Sequence, residues 1–128
     1  MASIYREFDV DAPVEKVWAA IADVGAPDRI INFLSDVTLE GNRRSCQLGD
    51  MGKLEELIVS IDQDHRRVAY SIRESPFNLA HHNASMQALP NGRDRTRFVW
   101  ITDVKPDEAA APEIIDAAIE SIKEALRS

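Results

Sequence analysis

Between Val37 and Val104 the chain reads as six extended segments, VTLEG, RRSCQL, LEELIVSID, RRVAYSIRE, HHNASMQAL and RTRFVWITDV, parted only by GN, GDMG, DQDH, SPFN and PNGRD. Spacers this short join neighbouring strands as hairpins and leave no room for a helical crossover, so the stretch is expected to fold as a meander of antiparallel strands. Upstream, Ser3 to Val10 alternates, with Ile4, Arg6 and Phe8 on one face and Tyr5, Glu7 and Asp9 on the other, which reads as a further strand. Asp11-Ala12-Pro13 ends it: Asp11 can cap the helix that follows and Pro13 suits its first turn. Val14, Val17, Trp18, Ile21 and Ala22 then recur at helical spacing. Gly25-Ala26-Pro27 interrupts this helix, and a second short helix is expected over Asp28 to Leu34, completing a helical hairpin.

Downstream, Pro106 and Pro112 punctuate an alanine-rich linker. Beyond it Ile114, Ile115, Ala118, Ile119, Ile122 and Leu126 trace the apolar stripe of a terminal helix. Ala111 precedes a proline and so resists the helical backbone, which places the helix start near Pro112. From there to Arg127 the helix would be about 24 Å long at roughly 1.5 Å per residue.

The 128 residues fit one domain, residues 1–128, able to bury roughly two thirds of the surface of its unfolded chain. No apolar run approaches the ~20 residues that span a bilayer, and MASIYREFDV lacks a signal-peptide profile, so a cytoplasmic protein without membrane contact is expected. The single cysteine, Cys46, agrees with a reducing compartment and reads as inert. A formal charge of −7 repels phosphate backbones, so nucleic acid is not an expected partner. The basic pairs at Arg43-Arg44 and Arg93 to Arg95 look like hairpin ends.

A strand, two short helices, six strands and a terminal helix is the order of the helix-grip fold, and the sequence resembles the START-like SRPBCC superfamily, in particular its polyketide cyclase/dehydrase-like branch. The stretches that carry the resemblance are DAPVEKVWAAIADV, GKLEELIVSIDQDHRRVAYSIRESP and RTRFVWITDVKP, which together cover nearly the whole chain. The resemblance implies an α+β fold: a curved antiparallel sheet of about seven strands wrapped around the C-terminal helix, enclosing a cavity for a small hydrophobic or aromatic ligand. Related chains commonly carry a longer terminal helix. Here KPDEAAAP delays it, which leaves the cavity more open or lets a second subunit, as in a homodimer, cover it.

Adjacent residues of a strand face opposite ways, so His81 and His82 cannot serve one site together. With Ala84, Met86 and Ala88 as the apolar set of their strand, His82 shares the inner face, while His81 lies with Asn83, Ser85 and Gln87. The same parity groups Phe98, Trp100 and Thr102 on the next strand, and Val68, Tyr70, Ile72 and Glu74 on the preceding one. Such a concavity, apolar with Tyr70, His82 and Thr102 as scattered polar groups, suits a ligand pocket, and equally suits a core packed against Ile115, Ile119 and Ile122. Periodicity leaves the strand LEELIVSID undecided, since Leu57, Val59 and Ile61 oppose Leu54, Glu56, Ile58 and Ser60. The resemblance puts Glu56 where related sequences often carry a glutamate, at the cavity mouth, with a solvated or salt-bridged glutamate as the alternative.

No H-E-x-x-H, Cys-x-x-Cys, phosphate loop or Gly-x-Ser-x-Gly elbow occurs, so no metal or cofactor is expected. His65, in the turn Asp62-Gln63-Asp64-His65, sits near two acids and reads as part of an exposed hairpin end. Three readings follow. The chain binds a small hydrophobic molecule; it is a cyclase or dehydratase with His82 and Tyr70 as an acid/base pair; or it is an interaction module docking through residues such as Phe77 and Leu79.

Overall fold

The computed structural model describes residues 2–106 and 108–127. Seven strands are present: β1 (Ala2–Val10), β2 (Leu34–Glu40), β3 (Arg43–Leu48), β4 (Gly52–Asp62), β5 (Arg67–Glu74), β6 (His81–Pro90) and β7 (Thr96–Lys105). Two helices, α1 (Val14–Ala22) and α2 (Ala110–Leu126), complete the fold. The strands form one sheet in the order β1-β7-β6-β5-β4-β3-β2, antiparallel at every seam. The meander read from the hairpin spacers therefore holds. β1 is laid against β7, with Ala2 opposite Val104 and Val10 opposite Thr96.

Because β1 and β2 occupy opposite edges of the sheet, the segment joining them must cross its open side, and α1 makes that crossing against β5 and β6. Its inner stripe buries Val17, Trp18 and Ile21. From α2, Ile115, Ala118, Ile119, Ile122 and Leu126 enter the same core as Val10, Phe98 and Trp100. The sheet curves around this helix, helped by register shifts between Ser35 and Thr38 in β2 and at two points along β4 and β5. Asp36, at the first shift, takes a positive φ of 52°.

Four local expectations are revised. Asp28 to Leu34 is not a helix but a single 3-10 turn, Pro27–Arg29, running into β2 at Leu34. Its backbone is satisfied from outside: Ser121 Oγ of α2 accepts from the Asn32 N–H at 2.9 Å and donates to the Ile30 carbonyl at 2.8 Å. Phe33 O is taken by the Gly49 N–H, so pairing with β3 outcompetes further helical turns. Asp11 does not cap α1, whose N-cap is Pro13; its carboxylate instead accepts from Arg95 Nε at 3.0 Å. α2 begins at Ala110, before Pro112, because a proline within the first turn has no N–H bond to lose there. The Glu108 carboxylate accepts the Ala110 N–H at 3.2 Å at that helix start. Arg44, finally, is not at an exposed hairpin end but buried.

Candidate functional site

Between the concave face of the sheet and the helices lies a cavity of about 140 Å³. Its walls are mostly aliphatic and aromatic: Leu54, Val68, Ile72, Met86 and Trp100 from the sheet, Ile21, Ile30 and Ile31 from α1 and the turn, Ala111, Ile114, Ile115 and Ala118 from α2. Phe77 and Leu79, in the β5–β6 connection, also line it and are half-buried, so they do not form an exposed patch.

Five polar side chains from adjacent strands face this space, Arg44, Glu56, Tyr70, His82 and Thr102. Arg44 of β3 lies directly opposite Glu56 of β4, so register alone puts a cation and a carboxylate on the same inner face. Arg44 Nε donates to Glu56 Oε1 at 2.9 Å, with side-chain exposures of only 10% and 6%, and a second guanidinium N–H reaches the Val24 carbonyl at 3.0 Å. The guanidinium also stands 5.6 Å from the centre of the Tyr70 ring. Leu54, Glu56 and Ile58 are buried while Val59 and Ile61 are exposed, which decides the facing of β4. The alternation of Arg44 with Cys46 and Leu48 was the available signal that Arg44 points inward.

Tyr70 accepts a hydrogen bond from Trp100 Nε1 at 3.2 Å. Burial, with Glu56 nearby, holds its phenol well above the ordinary range, so it stays protonated. His82 is set by a break in the sheet. The β5–β6 ladder runs only from Arg67↔Gln87 to Tyr70↔Ala84, and beyond it the Ile72 N–H donates to His82 Nδ1 at 2.9 Å. Nδ1 is thus an acceptor, and the neutral ring carries its proton on Nε2. Burial, then the charge of His81, push the imidazole pKa down to about 4. The Tyr70 and His82 rings lie 5.8 Å apart between centroids and are not hydrogen-bonded to each other.

Of the residues read from sequence as lining a site, Glu56, Tyr70, Ile72, His82, Met86, Trp100, Thr102 and Ile115 border the cavity. Phe98, Ala84 and Ile119 do not. Phe98 is fully buried, stacked on Phe8 at 4.6 Å; Ala84 sits beneath Tyr70 and Ile58; Ile119 packs in the main core. Strand parity names a face, not a depth, and these three lie below the cavity wall. Asp23 and Glu108, which no pattern singled out, border it as well. Cys46 is buried, with its thiol pKa pushed up to about 12 by burial and by Glu56. His65 is exposed and bonds Asp62 at 2.8 Å. Among the described residues no three His, Cys, Asp or Glu side chains cluster closely enough to hold a metal ion, and no helix is long and apolar enough to cross a membrane.

A curved seven-stranded antiparallel sheet gripping a C-terminal helix over an apolar cavity is the helix-grip architecture of START-like SRPBCC proteins. The chain belongs to the family described as polyketide cyclase / dehydrase and lipid transport, whose profile matches residues 1–128. Solved structures share the fold. XoxI from Bacillus cereus superposes with a TM-score of 0.86 at 19% identity, covering 98% of this chain and 96% of that one. A START superfamily protein from Mycobacterium smegmatis gives 0.76 at 12% identity, covering 98% and 94%. Norcoclaurine synthase from Thalictrum flavum, in complex with dopamine and hydroxybenzaldehyde, gives 0.70 at 16% identity, covering 96% and 84%. No curated protein sequence is significantly similar to the chain. Family and fold fit a protein that binds a hydrophobic ligand.

Proposed function

We propose that the protein, acting as one domain over residues 1–128, binds a small hydrophobic or aromatic molecule between its sheet and α2. The observation that carries this reading is the cavity itself: about 140 Å³ of apolar-walled space into which a few polar side chains project. Apolar area supplies affinity, and the polar groups supply orientation. A protein of the same fold, norcoclaurine synthase, is in complex with two small aromatic molecules, which supports the reading by analogy of fold.

The test is native mass spectrometry of the freshly purified protein with analysis of its organic extract, repeated on Ala118→Leu. Ala118 projects from α2 into the cavity, and the larger side chain fills it. Loss of small-molecule uptake in a variant that still unfolds cooperatively is the expected result. Undiminished uptake would place the ligand elsewhere.

The family's description favours a second reading, a cyclase or dehydratase with His82 and Tyr70 as acid and base. It requires both groups to exchange protons with a ligand lying between them, since they do not bond each other. His82→Ala would then abolish turnover while largely preserving ligand affinity, and retained turnover would remove His82 from the mechanism.

A further inference from the structure

The walls of the cavity carry more information than their apolarity. Among the described residues, side-chain nitrogen and oxygen atoms that are wholly inaccessible all have partners. Among the described residues, two uncharged side chains on the cavity wall carry an atom without a partner: His82, whose ring uses Nδ1 for the Ile72 N–H and leaves Nε2, and Thr102, whose Oγ1 bonds nothing. His82 is 6% exposed and Thr102 3%, so each is almost entirely withdrawn from bulk water while bordering the cavity. Leaving such groups unpaired against an apolar ligand is costly, whereas a ligand atom that bonds them recovers the loss. Thr102 is opposite Ala84, and His82 is opposite Val104, so the two are diagonal neighbours on one face, about 7–8 Å apart as diagonal pairs are, and both face a ligand in the cavity.

Charge narrows the class. Among the described residues the one guanidinium on the cavity wall, Arg44, is already paired with Glu56 and bonded to the Val24 carbonyl, and the other charged groups bordering the space, Asp23 and Glu108, are acidic. Among the described residues an anionic ligand would find only a cation already paired, and would meet carboxylates. Size narrows it again. An apolar cavity of about 150 Å³ accommodates benzene; this one, at about 140 Å³, is of single-ring size.

We infer that the ligand is an uncharged single-ring aromatic compound bearing an oxygen that accepts hydrogen bonds from His82 Nε2 and Thr102 Oγ1. This rests on the cavity being the binding site, and names the chemistry that site selects.

The test is a titration of the isotopically labelled protein, followed by amide NMR, with three probes of nearly equal size: acetophenone, α-methylstyrene, in which a methylene replaces the carbonyl oxygen, and benzoate. Two recovered hydrogen bonds predict that acetophenone binds about tenfold more tightly than α-methylstyrene, with benzoate the weakest. Thr102→Val keeps the side-chain shape and removes the hydroxyl. It is expected to lower acetophenone affinity about three- to tenfold and leave α-methylstyrene unchanged. Equal or reversed affinities of the two neutral probes, tighter binding of benzoate, or acetophenone binding indifferent to Thr102→Val would each overturn the inference while leaving the cavity as the site. Absence of shifts at cavity residues with all three probes would overturn the cavity reading along with it.

Discussion

The Arg44–Glu56 pair offers a sharp test of how this interior is built. Both side chains are buried, and each is the other's main partner, so removing one strands the other. Breaking a buried ion pair from one side costs about 3–5 kcal/mol. Arg44 would keep the Val24 carbonyl in Glu56→Leu, and Glu56 would keep its access to the cavity in Arg44→Met, so the expected loss lies near the lower figure, about 3 kcal/mol for each single variant. The double variant removes both charges and leaves packed hydrocarbon. Its loss is expected to be below about 1 kcal/mol, so that the coupling between the sites is about 5 kcal/mol or more. Urea unfolding followed by tryptophan fluorescence measures all four corners of the cycle. Single variants that each cost under about 1 kcal/mol and add independently would show that water solvates the pair, and the account of a closed polar cluster on the cavity wall would fail.

Other expectations follow from single contacts. His82 titrates at about 4 in the fold and near 6.5 when unfolded, so between those pH values the unfolded chain binds the extra proton. The stability this burial confers is whole above about pH 6.5 and is lost as pH falls toward 4, at up to about 1.4 kcal/mol per pH unit. Unfolding free energies of wild type and His82→Gln across that range should diverge accordingly, and parallel curves would refute it. Cys46, buried with its pKa raised to about 12, should react with a thiol reagent only as fast as the protein unfolds. Prompt labelling under native conditions would contradict its burial. Ser121→Ala removes both bonds that tie the Pro27–Arg29 turn region to α2 and should cost about 1–3 kcal/mol, with faster hydrogen exchange at the Asn32 amide. An unchanged exchange rate would mean that the turn holds itself.

Much of the architecture is written in local periodicity. The six hairpin-linked segments from Val37 to Val104 and the stripe Ile114 to Leu126 repeat at the periods of strand and helix, and both appear where those periods put them. The inner face of β6, with His82, Ala84 and Ala88 buried, and of β7, with Phe98, Trp100 and Thr102 buried, follows from the two-residue period alone. Where both faces of a segment are apolar the period is silent, as in β4, and there the burial of Glu56 was decided by its partner Arg44 across the seam. IINFL carries an apolar content that suits a helix, yet the hydrogen-bonding groups of Ser121 and the edge of β3 drew it into a turn and a strand.

Outside the stretch from Asp28 to Leu34, the sequence by itself determined which segments are strand or helix and which side chains share a face, because those properties depend on neighbours a few residues away. Only the tertiary structure decided how deep each inward residue lies: Phe98 and Ile119 in the core, Trp100 and Ile115 at the cavity wall. It also decided that His82 closes a gap in the β5–β6 ladder at the cavity wall, and that Arg44 is neutralised before any ligand arrives. Depth, seam geometry and charge pairing are sums over residues distant in the chain. They take a value only when the sheet has closed around α2.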